Sequence, residues 1–483
     1  MKRVFLTGAT GVMGMAAMRR LTAPGTSEKI HLTVLARDSK TNRRKLAPFM
    51  EKGVEVIWGD LLNGADVGRG VAGADIVLHV GGMVSPMADW KPKLTLKVNT
   101  VSMHGIISAA LQEQCQGRNV RVVYIGSVSQ YGNRPERAHW GRAGDPISVS
   151  AYDAYALSKC EAERMLAESG LKEWVSLRQT GIMYPGILMK ASDPISFHVP
   201  VRGCLEWVTD EQSGRLLANL CTADDIPGSF WCGFYNIGGG ETYRVTNYDF
   251  LNMTLEAVGC PPAYKAFERN WFATRNFHGM WYTDSDALEE LLHFRGRETF
   301  PAYMARIRKE LPWYFRLAPL APAVAIKAVM KRVALTKGLG TLYWLRTADK
   351  GRIRAAFGSM EEYRRIPSWE QDREWRLSRR PGFLNHGYDE KRPFEELTLG
   401  DYEQAALYRG GECLGPAEGV GIGADQPMRW RCSEGHEFEL HPRTVLKGGH
   451  WCPECLRRQK DDPEALYLQA AANPFLDQIV NPK

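Results

Sequence analysis

Thr7-Gly8-Ala9-Thr10-Gly11-Val12-Met13-Gly14 follows directly on the apolar run Val4-Phe5-Leu6 and precedes a helical stretch at 16–21. The order is strand, tight turn, helix start. In such a turn Gly8 permits the reversal, Gly11 lets backbone N–H groups approach a diphosphate, and Gly14 lets the helix pack close on the strand. Three-residue spacing departs from the commoner GxGxxG, and a glycine trio alone is a weak sign because glycine is frequent in any turn.

The surroundings strengthen it. Runs at 30–35, 54–58, 75–80, 121–125 and 175–177 are apolar and read as strands, while 93–111 and 151–166 carry apolar residues at helical spacing. Such alternation over roughly two hundred residues predicts an α/β fold, a doubly wound parallel sheet with ligands at the carboxyl ends of its strands. Asp60-Leu61, Val80-Gly81-Gly82, Ser127 and Thr180-Gly181 fall at those ends.

Five motifs then stand in order: TGATGVMG from Thr7, WGDLLN from Trp58, IGSVSQYG from Ile125, YALSK from Tyr155 and LRQTGIMYPG from Leu177, with FYNIGGGE from Phe234 beyond them. On these motifs the first 300 or so residues resemble an extended short-chain dehydrogenase/reductase, the family of nucleotide-sugar epimerases, dihydroflavonol-type reductases and hydroxysteroid dehydrogenases. The resemblance implies a catalytic set of Ser127, Tyr155 and Lys159. It also implies a nicotinamide dinucleotide held by Gly8, Thr10, Gly11, Val12, Met13, Gly14, Arg37, Asp38, Asp60, Leu61, Val80, Gly81 and Asn99, with Tyr155 and Lys159 touching it too.

The residue types suit that chemistry. Tyr155 and Lys159 lie one helical turn apart on one face. A free phenol, with a pKa of about 10, is a weak acid, and positive charge from Lys159 and an oxidised nicotinamide is expected to lower it and make Tyr155 a general acid/base. The spacing alone also fits an ordinary surface pair; the glycine turn and Ser127 favour the site. Ser129 competes with Ser127, but counting four residues back from Tyr131 selects Ser127 and leaves Ser129 a substrate-pocket candidate.

The second strand ends in Ala36-Arg37-Asp38, where NAD-preferring relatives carry an acid that binds the ribose hydroxyls. Arg37, followed by Arg43, Arg44 and Lys45, is expected to accommodate a 2′-phosphate, so NADP(H) is favoured over NAD(H); the other reading leaves Asp38 on an NAD ribose. Val128 after Ser127 disfavours dehydration, because dehydratase relatives carry an Asp-Glu pair there. No diphosphate-binding pattern shows at 187–208. The loop 81–87 and the aromatic residues at 271–282 suggest a wall for a hydrophobic substrate. The expectation is therefore an oxidoreductase acting on a secondary alcohol or ketone of a steroid-like or aromatic small molecule. The alternatives are an NAD-using nucleotide-sugar epimerase, or a dinucleotide-sensing regulator whose metal module binds nucleic acid or protein.

Near the other end, Cys432, x3, His436, a gap of fifteen residues and Cys452-Pro453-Glu454-Cys455 have the spacing of four tetrahedral zinc ligands. The stretch resembles a small zinc ribbon, and a module of about thirty residues needs its metal to fold. Its cations are interleaved with Glu434, Glu437, Glu439 and Glu454, so docking or dimerisation suits it at least as well as nucleic acid. The chain divides, on this reading, into a dehydrogenase/reductase domain at 1–310, a basic and aromatic helical extension at 311–409, a Gly-rich linker at 410–428, the zinc module at 429–460 and a tail at 461–483. Lys327, Lys331, Arg332 and Lys337 make 323–344 a basic amphipathic stretch, which fits a membrane surface but fits a core-packing helix better.

The 483 residues are 44% hydrophobic, enough for two or three globular domains. No apolar run is long enough to span a bilayer and the first strand begins at once, so the expected location is cytoplasmic. Of ten cysteines, three belong to the zinc set and seven are scattered, as reduced thiols would be. A net charge of +7 is too modest to require a nucleic-acid partner. Relatives commonly pair through the helices at 93–111 and 151–166, so a homodimer is expected.

Overall fold

A computed structural model describes residues 1–190, 193–417, 419 and 421–482. Seven strands, β1 (Lys2–Thr7), β2 (Ile30–Ala36), β3 (Glu55–Trp58), β4 (Ile76–His79), β5 (Arg121–Ser127), β6 (Trp174–Gln179) and β7 (Gly233–Ile237), form one sheet in the order β7-β6-β5-β4-β1-β2-β3. Every pairing is parallel. The chain moves outward from β1 in one direction and then in the other, which makes this a Rossmann fold whose switch point lies between β1 and β4.

Alternation along β1 shows why both faces must be covered. Val4 and Leu6 enter the core beneath α1 (Val12–Leu21) and α4 (Asp210–Thr222), whereas Phe5 enters the core beneath α2 (Pro92–Cys115) and α3 (Ala154–Ala167). A β-carbon on Gly214 would lie 2.6 Å from the Ala16 backbone, so the glycine is what lets α4 lie directly on α1.

The extension packs against residues between Phe197 and Phe272 of this domain. On α5 (Ala323–Ala334), Ile326, Met330 and Val333 turn inward onto Phe197, Phe267, Trp271 and Trp369, while Lys331 and Arg332 stay exposed and Lys327 pairs with Glu268. The basic amphipathic stretch is thus a core-packing helix on its inner face. Trp271 and Phe272 belong to that cluster, and Trp281 and Tyr282 are fully buried in other clusters. Trp271, Phe272, Trp281 and Tyr282 are therefore packing rather than an open pocket wall, while Phe277 is half-buried. Among the described residues no helix is long and apolar enough to cross a membrane.

Two further segments are more ordered than the sequence suggested. Within 410–428, β8 (Glu412–Pro416) pairs antiparallel with β9 (Met428–Arg431), which pairs with β10 (Glu437–Leu440). A register shift between Cys413 and Gly415 fits a Gly-rich strand into the ladder, so this stretch is a sheet edge and not a free tether. Glu418 and Val420 of that stretch lie outside the described residues, as do Ala191 and Ser192 within 187–208 and Lys483 of the tail. At 461–483 the chain forms α8 (Ala465–Ala470) and α9 (Pro474–Val480), which bury Ala465, Ala470, Phe475, Leu476 and Ile479.

The carboxyl-terminal part is not a separate bead. Its core joins Trp430, Leu440 and Leu446 to Phe394 and Tyr402 of the extension, and it docks on α3. Glu163 of α3 receives Arg178 of β6 at 3.0 and 2.6 Å and His450 Nε2 at 2.8 Å. Arg178 also donates to the Gly448 carbonyl at 2.6 Å, and both charged side chains have no exposure. Arg457, on α7 (Pro453–Asp461), pairs with Glu161 at 2.8 Å, and the Tyr152 N–H donates to the Lys460 carbonyl at 2.7 Å.

Burial alone would raise the Glu163 carboxyl, but the Arg178 charge and the His450 and Arg178 hydrogen bonds outweigh it and hold the group well below the usual carboxylate range. A depressed carboxylate stabilises the fold above its unfolded pKa of about 4.3, and that contribution is lost as pH falls through the folded value. Arg178→Met should therefore destabilise by about 3–5 kcal/mol through the stranded charge and raise the pH of acid unfolding. Arg457→Ala, whose partner lies at the surface, should change stability by about 1 kcal/mol or less. Thermal and acid melts of the two variants measure both effects.

Candidate active site and candidate metal centre

The turn after β1 is built from close backbone approaches. Gly8 has φ +78°, and a β-carbon there would sit 2.7 Å from the Gly81 Cα at the end of β4. A β-carbon on Gly14 would collide with the Gly8 carbonyl, and one on Gly81 would meet Leu61 at 2.8 Å and the Thr7 hydroxyl at 3.0 Å. Gly11 precedes α1 with no side-chain cap. The first-turn N–H groups of Val12, Met13 and Gly14 thus face outward at the positive end of the helix dipole, where a diphosphate fits. The Thr10 carbonyl accepts from Lys45 at 3.0 Å.

Around this turn the other dinucleotide candidates gather at strand ends. Asp60, at the end of β3, accepts from the Leu62 N–H at 2.9 Å and keeps its side chain exposed. Asn99 of α2 holds the loop after Val80 and Gly81 by accepting from the Met83 N–H at 2.8 Å and donating to the Met83 carbonyl at 3.0 Å. It also donates to Ser158 of α3 at 2.8 Å. At the end of β2, Arg43 grips Asp38 through two bonds of 2.6 and 2.7 Å and lies 4.7 Å over Trp58, while Arg37 is exposed.

Ser127, Tyr155 and Lys159 are brought together. Asp153 caps α3 by accepting from the Ala156 N–H at 2.8 Å, which places Tyr155 in the first helical turn beside the end of β5. Ser127 hydrogen-bonds Tyr155, and Lys159 donates to the Ile125 carbonyl at 2.7 Å with its ammonium 5.9 Å from the Tyr155 ring. Beneath them His79 bridges the Thr7 and Ser102 hydroxyls at 2.9 and 3.3 Å. Burial, and then the Lys159 charge, push this imidazole down to about 3, so it is neutral.

Three features correct the sequence reading or add to it. Burial pushes the Tyr155 phenol up to about 12, opposed only by the Ser127 bond, and burial pulls Lys159 down to about 8. The lysine aims at a carbonyl and at the Tyr124 ring, 4.9 Å away, and so does not by itself acidify the phenol. Ser129 is fully buried and donates to Ser127 Oγ at 2.9 Å, so it orients that serine instead of lining a pocket.

Groups the sequence did not single out also crowd the mouth. Asp153 is raised to about 7 by burial and by the Asp89 charge. Arg352, on α6 (Lys350–Phe357) of the extension, lies 4.2 Å over the Tyr152 ring and within the field of Asp89. The cap before the helix could have marked Asp153; no local signal marks Arg352, some two hundred residues away.

The second site is compact. Ligand atoms of Cys432, His436, Cys452 and Cys455 all lie within 4.8 Å of one another. His436 Nδ1 is 3.4, 3.5 and 3.5 Å from the three sulfurs, and Cys432 Sγ is 3.7 Å from Cys455 Sγ. A tetrahedral zinc with Zn–S of about 2.3 Å and Zn–N of about 2.0–2.1 Å spaces its ligands by about 3.8 Å between sulfurs and about 3.5 Å from nitrogen to sulfur. The donor set fits a closed, structural zinc.

Residues 4–182 match the model of the NAD dependent epimerase/dehydratase family. The chain is 29% identical over 181 residues to the PKS-NRPS hybrid synthetase cheA of Chaetomium globosum, an alignment covering 35% of this chain and 4% of that protein, so it spans only a small part of that relative. It is 24% identical over 277 residues to the 2-alkyl-3-oxoalkanoate reductase of Shewanella oneidensis, covering 53% of this chain and 66% of the reductase. Among solved structures it is similar to a dTDP-glucose 4,6-dehydratase double mutant from Streptomyces venezuelae with NAD and DAU bound, at 18% identity and TM-score 0.49, covering 65% of this chain and 96% of that one. It is similar also to the UDP-glucose 4-epimerase of Thermus thermophilus in complex with NAD, at 20% identity and TM-score 0.45, covering 65% and 99%.

Elemental analysis of protein purified without chelator should find about one zinc per chain, and Cys455→Ala should abolish it and lower the melting temperature. Metal-free protein with an unchanged melt would remove the metal centre.

Proposed function

We propose that the chain, whose residues 4–182 match the model of the NAD dependent epimerase/dehydratase family, is a nicotinamide-dependent oxidoreductase acting on a secondary alcohol or ketone of a hydrophobic small molecule. The observation that carries it is the convergence of Ser127, Tyr155 and Lys159 at the end of β5, beside the uncapped end of α1.

A bound nicotinamide supplies or accepts the hydride. The chain's residues handle the oxygen. Ser127 hydrogen-bonds the substrate oxygen and holds it toward Tyr155, which gives its proton to that oxygen in reduction and takes it back in oxidation. A phenol raised to about 12 holds its proton at neutral pH, which suits the donor role. Lys159 braces the strand end through the Ile125 carbonyl and faces the ribose position.

Val128 stands where a dehydratase needs an acid, which supports redox chemistry without loss of water. Val84, Met87 and Trp90 are half exposed or more on the loop after β4, and their apolar surface at the crevice supports a hydrophobic substrate. The Shewanella oneidensis relative is named for a reductase of alkyl-substituted oxoalkanoates, a substrate of that general kind. For the cofactor, the carboxylate that would bind an NAD ribose, Asp38, is taken up by Arg43, and Arg37 beside it is open; this supports a 2′-phosphate and hence NADP(H). Self-association through α3 would have to displace α7 from Glu161, so a homodimer would use another surface.

Tyr155→Phe should reduce turnover by at least about a thousandfold while dinucleotide binding, followed by nicotinamide fluorescence, stays near wild type. Unimpaired turnover would refute the assignment. In a panel of ketones, secondary alcohols and nucleotide sugars, kcat/KM with NADPH should exceed that with NADH, and Arg37→Ala should narrow the gap. A preference for NADH retires the role given to Arg37.

A further inference from the structure

Away from the crevice, a cavity of about 290 Å³ opens where the three parts of the chain meet. Arg134, Ser150, Arg202 and His278 come from the amino-terminal domain, Ala355 from the extension, and Asp462 and Tyr467 from the carboxyl-terminal part. Neither the glycine turn nor Ser127, Tyr155 or Lys159 lines it. One water needs about 10–15 Å³ of such space, so the cavity admits a small molecule.

Its polar wall is left short of acceptors. Arg134, whose side chain has no exposure, donates through Nη2 to Asp145 at 3.3 Å, but its Nε and Nη1 have no partner among the described residues. Arg275 Nε, Ser150 Oγ and His278 Nδ1 on the same wall are also buried without a partner. Arg275 is held by the Arg354 carbonyl at 3.2 Å and lies 5.3 Å over the Tyr467 ring. Each of the three arginines on the wall has a carboxylate neighbour, Arg134 with Asp145 at 3.3 Å, Arg202 with Asp372 at 2.6 Å and Arg275 with Glu362 at 3.8 Å, but Arg134 and Arg275 keep buried nitrogens that no acceptor among the described residues reaches.

Two carboxylates also line the space. Glu136 already accepts from Trp375 at 2.9 Å, Asp462 accepts from the Glu464 N–H at 2.9 Å, and both are more than a third exposed. They sit at the rim and leave the deep donors unmatched. A buried guanidinium with two idle nitrogens is costly unless an acceptor reaches it.

We propose that this cavity is a second ligand site, for a small oxyanion whose carboxylate or phosphate oxygens accept from Arg134, Arg275 and Ser150. Planar forks of this kind match such groups, and several oxygens on one centre satisfy donors that converge from different segments. The site is coupled to α3. Ser150 precedes Ala151, whose N–H and carbonyl are clamped by Asn276 at 2.7 and 3.0 Å, and Asp153, the cap of α3, follows two residues later. An occupant holding Arg275 and Ser150 together steadies the strand of chain that leads into Tyr155.

Calorimetric titration of the full-length protein with inorganic phosphate and, separately, with malonate tests this at low ionic strength, with and without saturating dinucleotide. One-to-one binding of either anion is expected, surviving the dinucleotide and weakened at least tenfold in both Ser150→Ala and Arg275→Gln. The anion that binds tells phosphate from carboxylate. Both variants should keep the wild-type melt, which excludes misfolding as the cause. No binding of either anion overturns the proposal and leaves a water-filled cavity. Binding that the dinucleotide abolishes, or that neither variant weakens, belongs to the turn after β1 or to the surface and overturns it equally. If the dinucleotide itself does not bind, the functional reading fails, yet the variant comparison still decides this site.

Discussion

The buried ion pair of Glu163 with Arg178 ties α3, the sheet and the carboxyl-terminal part together. Burying two charges is costly, and the cost is met only when every remaining donor and acceptor is matched. Here Ser176 and His450 complete the carboxylate, and the Gly448 carbonyl and the Tyr131 hydroxyl complete the guanidinium. Tyr131 in turn donates to Asn236 of β7 at 2.8 Å. Glu163 lies one turn beyond Lys159 on α3, and Arg178 stands opposite Gly126 in the sheet, beside Ser127. The spacing between β5 and α3 therefore cannot relax without breaking this network.

The metal ligands feed into the same joint. Cys452 is the cap residue of α7, Cys455 lies in its first turn, and Arg457 two residues on reaches Glu161 of α3. Between the two ligand pairs, His441 donates through its N–H to Glu168 at the end of α3, and His450 meets Glu163. Metal loading and the seating of α3 thus share one set of residues. Folding energy supplied by an ion held there would reach α3 through contacts a few residues long. The carboxyl-terminal part thus braces α3.

What could be read beforehand was local. The turn after β1, the alternation that marks each strand, the Tyr155–Lys159 spacing and the two halves of the Cys/His pattern each lie within a few positions, and the fold brings them together. What escaped reading depends on partners far along the chain. Glu412–Pro416 looks like a tether until β9 supplies its ladder, and Trp271 and Phe272 look like a pocket wall until Phe197 and Trp369 close over them. Arg352 has no local signature at all, since its place over Tyr152 exists only once the extension folds back.

The protonation of Tyr155 shows the same limit in electrostatic form. The sequence leads to the expectation that Lys159 and an oxidised nicotinamide together acidify the phenol. In the folded chain the amine is directed to the Ile125 carbonyl and the Tyr124 ring, and burial by itself raises the phenol. Proximity in sequence sets which groups can meet, but the direction of a pKa shift follows from what each group faces and how much water it has lost.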